Sequence, residues 1–213
     1  MKIAVLIRKE NSNLENEYYI KGIERFSGEV VLIKDSYDIK EVESLLKGVN
    51  GILLTGGDEV GPLDFYLIEY AINNNLKLLG ICQGMQSMAL YGSNDKLIPI
   101  NNSSHNSDKK YVHSVYLKPG KLMRLLDKDK LLVNSHHLQT VKNSYKFVVS
   151  GYSNDELIEV VEGCRDTFQV GVQWHPERML DYDVDSRKIL EEFVSSWKNS
   201  KFIIYCCRCY LHM

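Results

Sequence analysis

The segment LKLLGICQGMQSMAL, residues 76–90, gives the strongest structural signal in the chain. Its apolar run Leu76–Ile81 predicts a buried strand, and a helix from Gln83 to Leu90 is predicted directly after it. Cys82 lies at the corner between the two, with a glycine two positions away on each side. The segment therefore has the pattern of a nucleophile elbow in which cysteine is the reactive residue.

The residues before this segment repeat the alternation of strand and helix. Strands are predicted at Ile3–Ile7, Val30–Ile33 and Gly51–Leu54, and helices at Tyr18–Phe26, Ile39–Leu46 and Pro62–Asn74. Strands and helices that alternate at this spacing form right-handed βαβ units, and these units build a parallel sheet. The apolar strands agree with this arrangement, since parallel strands are buried on both faces.

The second half of the chain has a different pattern, with strands joined by short connections. Strands are predicted at Val112–Leu117, Leu131–Asn134, Phe147–Tyr152, Leu157–Glu162 and Phe168–Trp174, and a last helix at Arg187–Trp197. The polar stretch Asn101–Lys110 is predicted to be a surface loop. We therefore expect an α/β fold of the flavodoxin-like type: three α/β/α layers, with a mostly parallel central sheet and antiparallel additions in the C-terminal half.

Composition excludes several classes of partner and compartment. The chain has 213 residues and a formal net charge of −2, with no basic stripe for nucleic acid and no polybasic patch for a membrane surface. The apolar run after Met1 stops at Ile7, which is too short for a signal peptide. Five cysteines, three of them within residues 206–209, do not resemble a secreted disulfide framework. We expect a cytoplasmic protein with no nucleic-acid or membrane partner.

The position of Cys82 suits a nucleophile. Its sulfur would lie at the carboxyl end of the sheet, where open α/β sheets bind their ligands, and at a helix N-terminus, which favours the thiolate. The amide of Gln83 would have no partner within its helix and could donate to an oxyanion. An inert buried cysteine is the alternative, because free cysteines are often buried.

The segment GVQWHPE, residues 171–177, supplies a base for that nucleophile. His175 ends a predicted strand, and Glu177 follows two residues later, where a carboxylate can orient the imidazole. Taken by itself, a histidine and a glutamate at a strand end would more often be a surface pair. Gly56 and Gly57 leave another strand at the same end of the sheet, so Gly57 is a candidate second oxyanion donor, with a plain turn as the alternative.

The segment VNSHHLQ, residues 133–139, is predicted to be a substrate-contact loop. Ser135, His136 and His137 are its candidate binding residues, and the sequence does not decide which histidine faces the substrate. The two histidines give only a weak indication of a metal site. Adjacent side chains on a strand point to opposite faces, and no cysteine or acidic residue stands at ligand spacing. The sequence therefore predicts no metal site.

Along the chain these four segments occur in the order Gly56-Gly57, the Cys82 elbow, residues 133–139 and residues 171–177. Together they resemble the class I glutamine amidotransferase superfamily, and most closely its γ-glutamyl hydrolase branch, the peptidase C26 group. The resemblance covers residues 1–198, taken as one domain, and leaves residues 199–213 as a C-terminal extension. It implies a Cys82–His175–Glu177 triad and no cofactor. Gly57 and Gln83 would hold the oxyanion, while Gln86 matches a substrate-contact position of the family.

The resemblance implies a hydrolase that cleaves the γ-glutamyl amide of a small compound through a thioester on Cys82. A glutaminase subunit that delivers ammonia to a separate synthetase is the alternative, and a binding or regulatory protein without activity is a third. Two departures affect specificity: Leu63 stands where the branch usually has arginine, and Ser135-His136 also fits the loop of synthetase-linked glutaminases. The expected partner is a small γ-glutamyl substrate. A synthetase subunit and a second copy of the chain are the two further candidates.

Overall fold

A computed structural model describes residues 1–100 and 103–195 of the chain. Its first ninety residues form four strand–helix units: β1 (Lys2–Ile7), α1 (Asn13–Glu24), β2 (Glu29–Lys34), α2 (Ile39–Leu45), β3 (Gly51–Leu54), α3 (Pro62–Asn73), β4 (Lys77–Ile81) and α4 (Gln83–Leu90). Helix α1 begins five residues before its predicted start, because Ser12 and Glu15 form a capping box.

The second half adds five more strands to the sheet and two helices. In chain order these are β5 (His113–Leu117), α5 (Lys121–Leu126), β6 (Lys130–Val133), β7 (Val148–Ser153), β8 (Ile158–Glu162), β9 (Gln169–Val172) and α6 (Val184–Val194). Asp183 caps α6 through a 2.7 Å hydrogen bond from the Ser186 amide, so the helix starts before the predicted residue. The predicted end of this helix and the predicted extension 199–213 lie outside the described residues.

One nine-stranded sheet organises the described residues, in the order β2-β1-β3-β4-β9-β8-β7-β5-β6. Strands β1 to β4 are mutually parallel, and the pairings from β9 to β6 are antiparallel. The mixed, mostly parallel α/β fold expected from the sequence is confirmed. One detail differs: β9, predicted among the antiparallel additions, runs parallel to β4 with Val172 beside Ile81. The carboxyl ends of these two strands therefore meet at the same edge.

Apolar side chains cover both faces of the sheet and produce the three layers. On one face, α1, α5 and α6 bury Ile23, Leu122 and Phe193 against the strands. On the other face, α2, α3 and α4 bury Val42, Leu67 and Met88. Burial at about 25 cal/mol per Å² of apolar surface makes these two layers the main favourable contribution to folding.

Two short ribbons lie outside the main sheet. Ile98–Pro99 pairs with Gln139–Thr140, and Asn106–Ser107 pairs with Ser135–His136. The second ribbon corrects the predicted surface loop: within its described part, His105 is buried, with only 1% of its surface exposed. None of the described helices is long and apolar enough to span a bilayer.

Candidate active site

The nucleophile elbow forms at Cys82, between β4 and α4. Its backbone has φ 53° and ψ −108°, which is a strained conformation for a residue with a β-carbon. The Cys82 amide donates a 2.9 Å hydrogen bond to the carbonyl of Val172 at the end of β9, which fixes the corner to the neighbouring strand. A β-carbon on Gly84 would overlap the carbonyl of Leu54, so the close approach of α4 to the sheet requires glycine there.

His175 and Glu177 follow β9 and reach the same place. The Nδ1 atom of His175 lies 2.7 Å from Oε1 of Glu177, and both side chains are buried. Asn134 fixes the backbone of His175 from both sides: its Oδ1 accepts from the His175 amide at 2.8 Å, and its Nδ2 donates to the His175 carbonyl at 2.9 Å. The structure thus brings together the three residues predicted from separate motifs.

The charge on His175 is set by competing effects. Burial lowers the pKa of His175, but the negative charge of Glu177 and the hydrogen-bonded neighbour Cys82 outweigh it and raise the pKa to about 9. The imidazole is therefore held in its protonated form at neutral pH. A buried imidazolium beside a candidate nucleophile can deliver a proton to a leaving group.

Gly56 and Gly57 differ in their surroundings. A β-carbon on Gly56 would lie 3.1 Å from Cε1 of His175 and 3.5 Å from Cβ of Cys82, but the Gly56 amide already donates to the Tyr19 hydroxyl at 3.0 Å. Gly57 packs against the side chain of Gln83. Its amide makes no hydrogen bond with any described residue, which leaves it available for a ligand.

Tyr19 contributes an uncharged hydroxyl group to the site. Burial raises the pKa of its hydroxyl well above the usual range, and the nearby charges of Glu177 and Cys82 raise it further. The phenol therefore stays protonated while it accepts the Gly56 hydrogen bond. Sequence patterns gave no sign of this contact, because α1 is otherwise an ordinary amphipathic helix.

Gln173 is a further neighbour of the nucleophile. Its Nε2 lies 3.5 Å from Sγ of Cys82, and its Oε1 accepts a 3.1 Å hydrogen bond from Gln86. The Gln86 side chain also donates to the carbonyl of Gln139 at 2.9 Å. Gln173 was not among the predicted site residues, although strand alternation offered a signal: residues two apart, such as Gln173 and His175, face the same side.

The predicted substrate loop divides into two parts. The ring of His136 lies against that of His175, with centroids 5.9 Å apart. Burial lowers the pKa of His136, and the neighbouring His175 lowers it further. Ser135 and His137 face another way: the Ser135 hydroxyl donates to the His105 carbonyl at 2.7 Å, and Nε2 of His137 lies 3.2 Å from Nδ1 of His105. Of the three candidate binding residues in this loop, the structure therefore brings only His136 to the Cys82–His175 pair.

The side chain of Gln83 is also hydrogen-bonded within the protein. It is fully buried, and its Nε2 donates to the carbonyl of Glu59. Only its backbone amide, in the first turn of α4, remains to serve the site as predicted. The Gln83 side chain thus connects the loop after Gly57 to the first turn of α4.

A buried ion pair supports the elbow from below. Arg8 contacts the carboxylate of Asp64 through both terminal nitrogens, at 2.9 and 2.5 Å. Asp64 also accepts from the Ser87 hydroxyl in α4 at 2.9 Å and from the Gly61 amide at 3.0 Å. Arg8 follows the end of β1, so this ion pair connects β1 to the first turn of α3 and, through Ser87, to α4.

The fold is shared with a domain of known structure. The glutaminase domain of CTPS from Trypanosoma brucei, solved with bound acivicin, superposes with a TM-score of 0.71 over 90% of this chain and 91% of that chain, at 15% identity. This similarity shows that the two chains share the same fold.

The family follows from the sequence match. The Peptidase C26 family model matches residues 4–66 and 63–177, and the chain belongs to this family. A putative glutamine amidotransferase of Schizosaccharomyces pombe is 27% identical over 93% of this chain and 88% of its own length. Gamma-glutamyl hydrolase of Rattus norvegicus is 26% identical over 75% of this chain and 59% of its own length.

Proposed function

We propose that the protein is a free-standing cysteine hydrolase that cleaves the γ-glutamyl amide bond of a small compound. The observation that carries this proposal is the buried hydrogen bond between His175 and Glu177 beside a cysteine at a strained strand–helix corner. Membership of the Peptidase C26 family and similarity to a gamma-glutamyl hydrolase agree with it.

The first chemical step forms a thioester. The sulfur of Cys82 attacks the δ-carbonyl carbon of the γ-glutamyl group, and His175 holds the thiol proton. The amides of Gly57 and Gln83 donate to the oxyanion of the tetrahedral intermediate. His175 then transfers its proton to the amine nitrogen, the carbon–nitrogen bond breaks, and the amine leaves.

The second step restores the enzyme. Water attacks the thioester carbonyl while His175 accepts a proton from it, and the carbon–sulfur bond breaks. Glutamate leaves, and His175 keeps the proton with which it began the cycle. Glu177 keeps the imidazole oriented in both steps, and Gln173, held by Gln86, positions the thiol. We assign His136 to substrate contact, because its half-buried ring stands beside His175.

A second candidate is a glutaminase that supplies ammonia to a separate synthetase. The observation that favours it is similarity to proteins named CTP synthase, such as that of Microcystis aeruginosa, 30% identical over 67% of this chain and 33% of its own length. This alternative differs in one measurable respect: the protein by itself would turn over glutamine poorly and would need a partner for full activity.

The test is a steady-state assay of glutamate release by the purified full-length protein, against glutamine and a panel of γ-glutamyl amines. We expect turnover of γ-glutamyl amines, at least a 10³-fold loss in Cys82→Ala, and near-normal rates in Cys164→Ala, which removes an exposed cysteine. Mass spectrometry of a quenched reaction should detect the acyl group on Cys82. Release no faster than that of Cys82→Ala on every panel member would refute the free-standing hydrolase.

A further inference from the structure

Three histidines and one glutamate converge in a buried cluster next to the candidate active site. The cluster consists of His105, His113, His137 and Glu159, whose nearest nitrogen and oxygen atoms all lie within 4.8 Å of one another. Glu159 is fully buried, and the histidines expose 1%, 9% and 5% of their surface in the same order. None of these four residues is used by the proposed hydrolysis, so the cluster needs an explanation of its own.

The outward nitrogen of each ring already faces an acceptor. His105 Nε2 lies 3.0 Å from Oδ2 of Asp155, and His113 Nδ1 lies 3.3 Å from the Ser114 carbonyl. His137 Nδ1 lies 3.0 Å from the carbonyl of Gln139. A carbonyl or carboxylate can only accept, so each outward nitrogen must carry the hydrogen. The inward nitrogen of each neutral ring then carries a lone pair.

The centre of the cluster is therefore lined with electron pairs. Oε1 of Glu159 lies 3.7 Å from the inward nitrogen of each of the three histidines, and His105 Nδ1 lies 3.2 Å from His137 Nε2. Three atoms of the cluster have no hydrogen-bond partner among the described residues: both carboxylate oxygens of Glu159 and the Nε2 of His113. Buried polar atoms without partners are costly, and a cation at the centre would satisfy all of them.

The spacing suits a transition metal. In a tetrahedral zinc site with bonds of 2.0–2.2 Å, neighbouring ligand atoms are about 3.4 Å apart. Four of the six separations, one of 3.2 Å and three of 3.7 Å, lie on either side of this value, and the other two do not exceed 4.8 Å. Three imidazoles with one carboxylate form a ligand set typical of zinc, and outward acceptors that fix each ring are the usual second layer of such a site.

We propose that His105, His113, His137 and Glu159 bind one divalent transition metal ion, with zinc as the best match. Four protein ligands leave no open position on a tetrahedral ion, so the ion holds the structure together and does not activate water. It would join four segments that are distant in sequence: the turn at residues 103–105, β5, the loop after β6, and β8. The proposal does not depend on the proposed hydrolase function.

The cluster is connected to the nucleophile by hydrogen bonds. The Gln139 carbonyl that orients His137 also accepts from Gln86, and Gln86 contacts Gln173 beside the sulfur of Cys82. The His136 ring, next to ligand His137 in the chain, lies against His175. A metal at the cluster would therefore fix the loop from which the active site takes one of its walls.

The sequence predicted no metal site, and its argument was correct for the local segment. His136 and His137 do turn to opposite sides, and only one of them joins the cluster. The other ligands come from residues 22 to 32 positions away from His137, outside any spacing rule for a local motif. Convergence through the tertiary fold supplies the site.

The test measures zinc in the full-length protein, purified without an affinity tag after loading with Zn²⁺ and removal of excess by dialysis. Mass spectrometry of the elements should find about one zinc per folded chain. Glu159→Gln and His113→Asn should each lose at least nine-tenths of the bound zinc. His136→Asn, which changes the histidine adjacent to a ligand, is the matched control and should keep it.

Cobalt distinguishes the cluster from the cysteines near the C-terminus. The Co²⁺-loaded wild-type protein should show the visible bands of a tetrahedral nitrogen–oxygen site without a thiolate charge-transfer band. This measurement needs no variant, so it remains decisive if the substitutions prevent folding. A thiolate band, less than a tenth of an equivalent of bound zinc, or unchanged zinc in folded Glu159→Gln would each overturn the proposal.

Discussion

At the scale of single residues, His175 gives the clearest dependence on pH. Its pKa lies at about 9 in the folded protein, against an ordinary value of 6.5, because the charges of Glu177 and Cys82 outweigh burial. A raised pKa means that the folded state binds the proton more tightly than the unfolded state. The stabilisation is complete below pH 6.5 and is lost as the pH rises through about 9.

We therefore predict that the free energy of unfolding of the wild-type protein falls between pH 6.5 and 9, by about 3 kcal/mol from this residue. Urea unfolding at several pH values measures it. His175→Asn provides the comparison, since groups distant from residue 175 titrate equally in both proteins. An equal decline in His175→Asn would mean that the imidazole is not the source.

The sequence predicted the catalytic candidates better than their surroundings. Cys82, His175 and Glu177 each occur in a short motif whose geometry follows from a strand end, so local patterns were sufficient to predict that these residues meet. Gln173 could have been found by strand alternation. The direction of the His137 ring could not have been predicted, because the ring contacts His105. His105 is buried although it lies in a polar stretch of sequence that shows no pattern of burial.

At the scale of elements, the β4–α4 corner contains backbone strain. Cys82 has φ 53°, a value that glycine adopts freely and other residues reach only at a cost of about 1–3 kcal/mol. Two variants that both remove the thiol separate this strain from the loss of the sulfur. They are Cys82→Gly and Cys82→Ala.

We predict that Cys82→Gly is more stable than Cys82→Ala by about 1–2 kcal/mol, since relief of strain exceeds the entropy that glycine adds to the unfolded chain. Urea unfolding of both variants tests this. At the exposed helical residue Glu69 the same pair should show the opposite order, with glycine less stable by about 1 kcal/mol. Equal order at both positions would argue against strain at the elbow.

Element prediction succeeded where local signals were present and failed where a helix depends on distant partners. Helix α5 was not predicted, because its first turn is capped from β8: the amides of Lys121 and Leu122 donate to the Glu162 carboxylate at 2.6 and 2.9 Å. The direction of β9 could not be predicted either. An apolar run indicates a strand but does not fix which neighbour it pairs with or in which direction.

At the scale of the whole molecule, the Arg8–Asp64 ion pair joins β1, α3 and α4 beneath the site. Both side chains are almost fully buried, at 4% and 1% exposure. Removal of one partner leaves the other charge buried without compensation, which typically costs about 3–5 kcal/mol.

We predict that Arg8→Met lowers the free energy of unfolding by about 3–5 kcal/mol, measured by urea unfolding, and that adding Asp64→Leu recovers part of the loss. Lys128→Met breaks the more exposed Lys128–Asp185 pair and should change stability by less than about 1 kcal/mol. Similar effects of Arg8→Met and Lys128→Met would show that the buried pair is not a structural link.

The place of β9 in the sheet has a consequence for the order in which the protein is made. Because β9 fits between β4 and β8, a ribosome that has reached residue 165 has produced Cys82 and its elbow but neither His175 nor Glu177. On such a nascent chain Cys82 lacks the two candidate partners, and β4 presents an open edge to other chains until β9 arrives. Synthesis of the last central strand therefore closes the sheet and completes the candidate triad in one event.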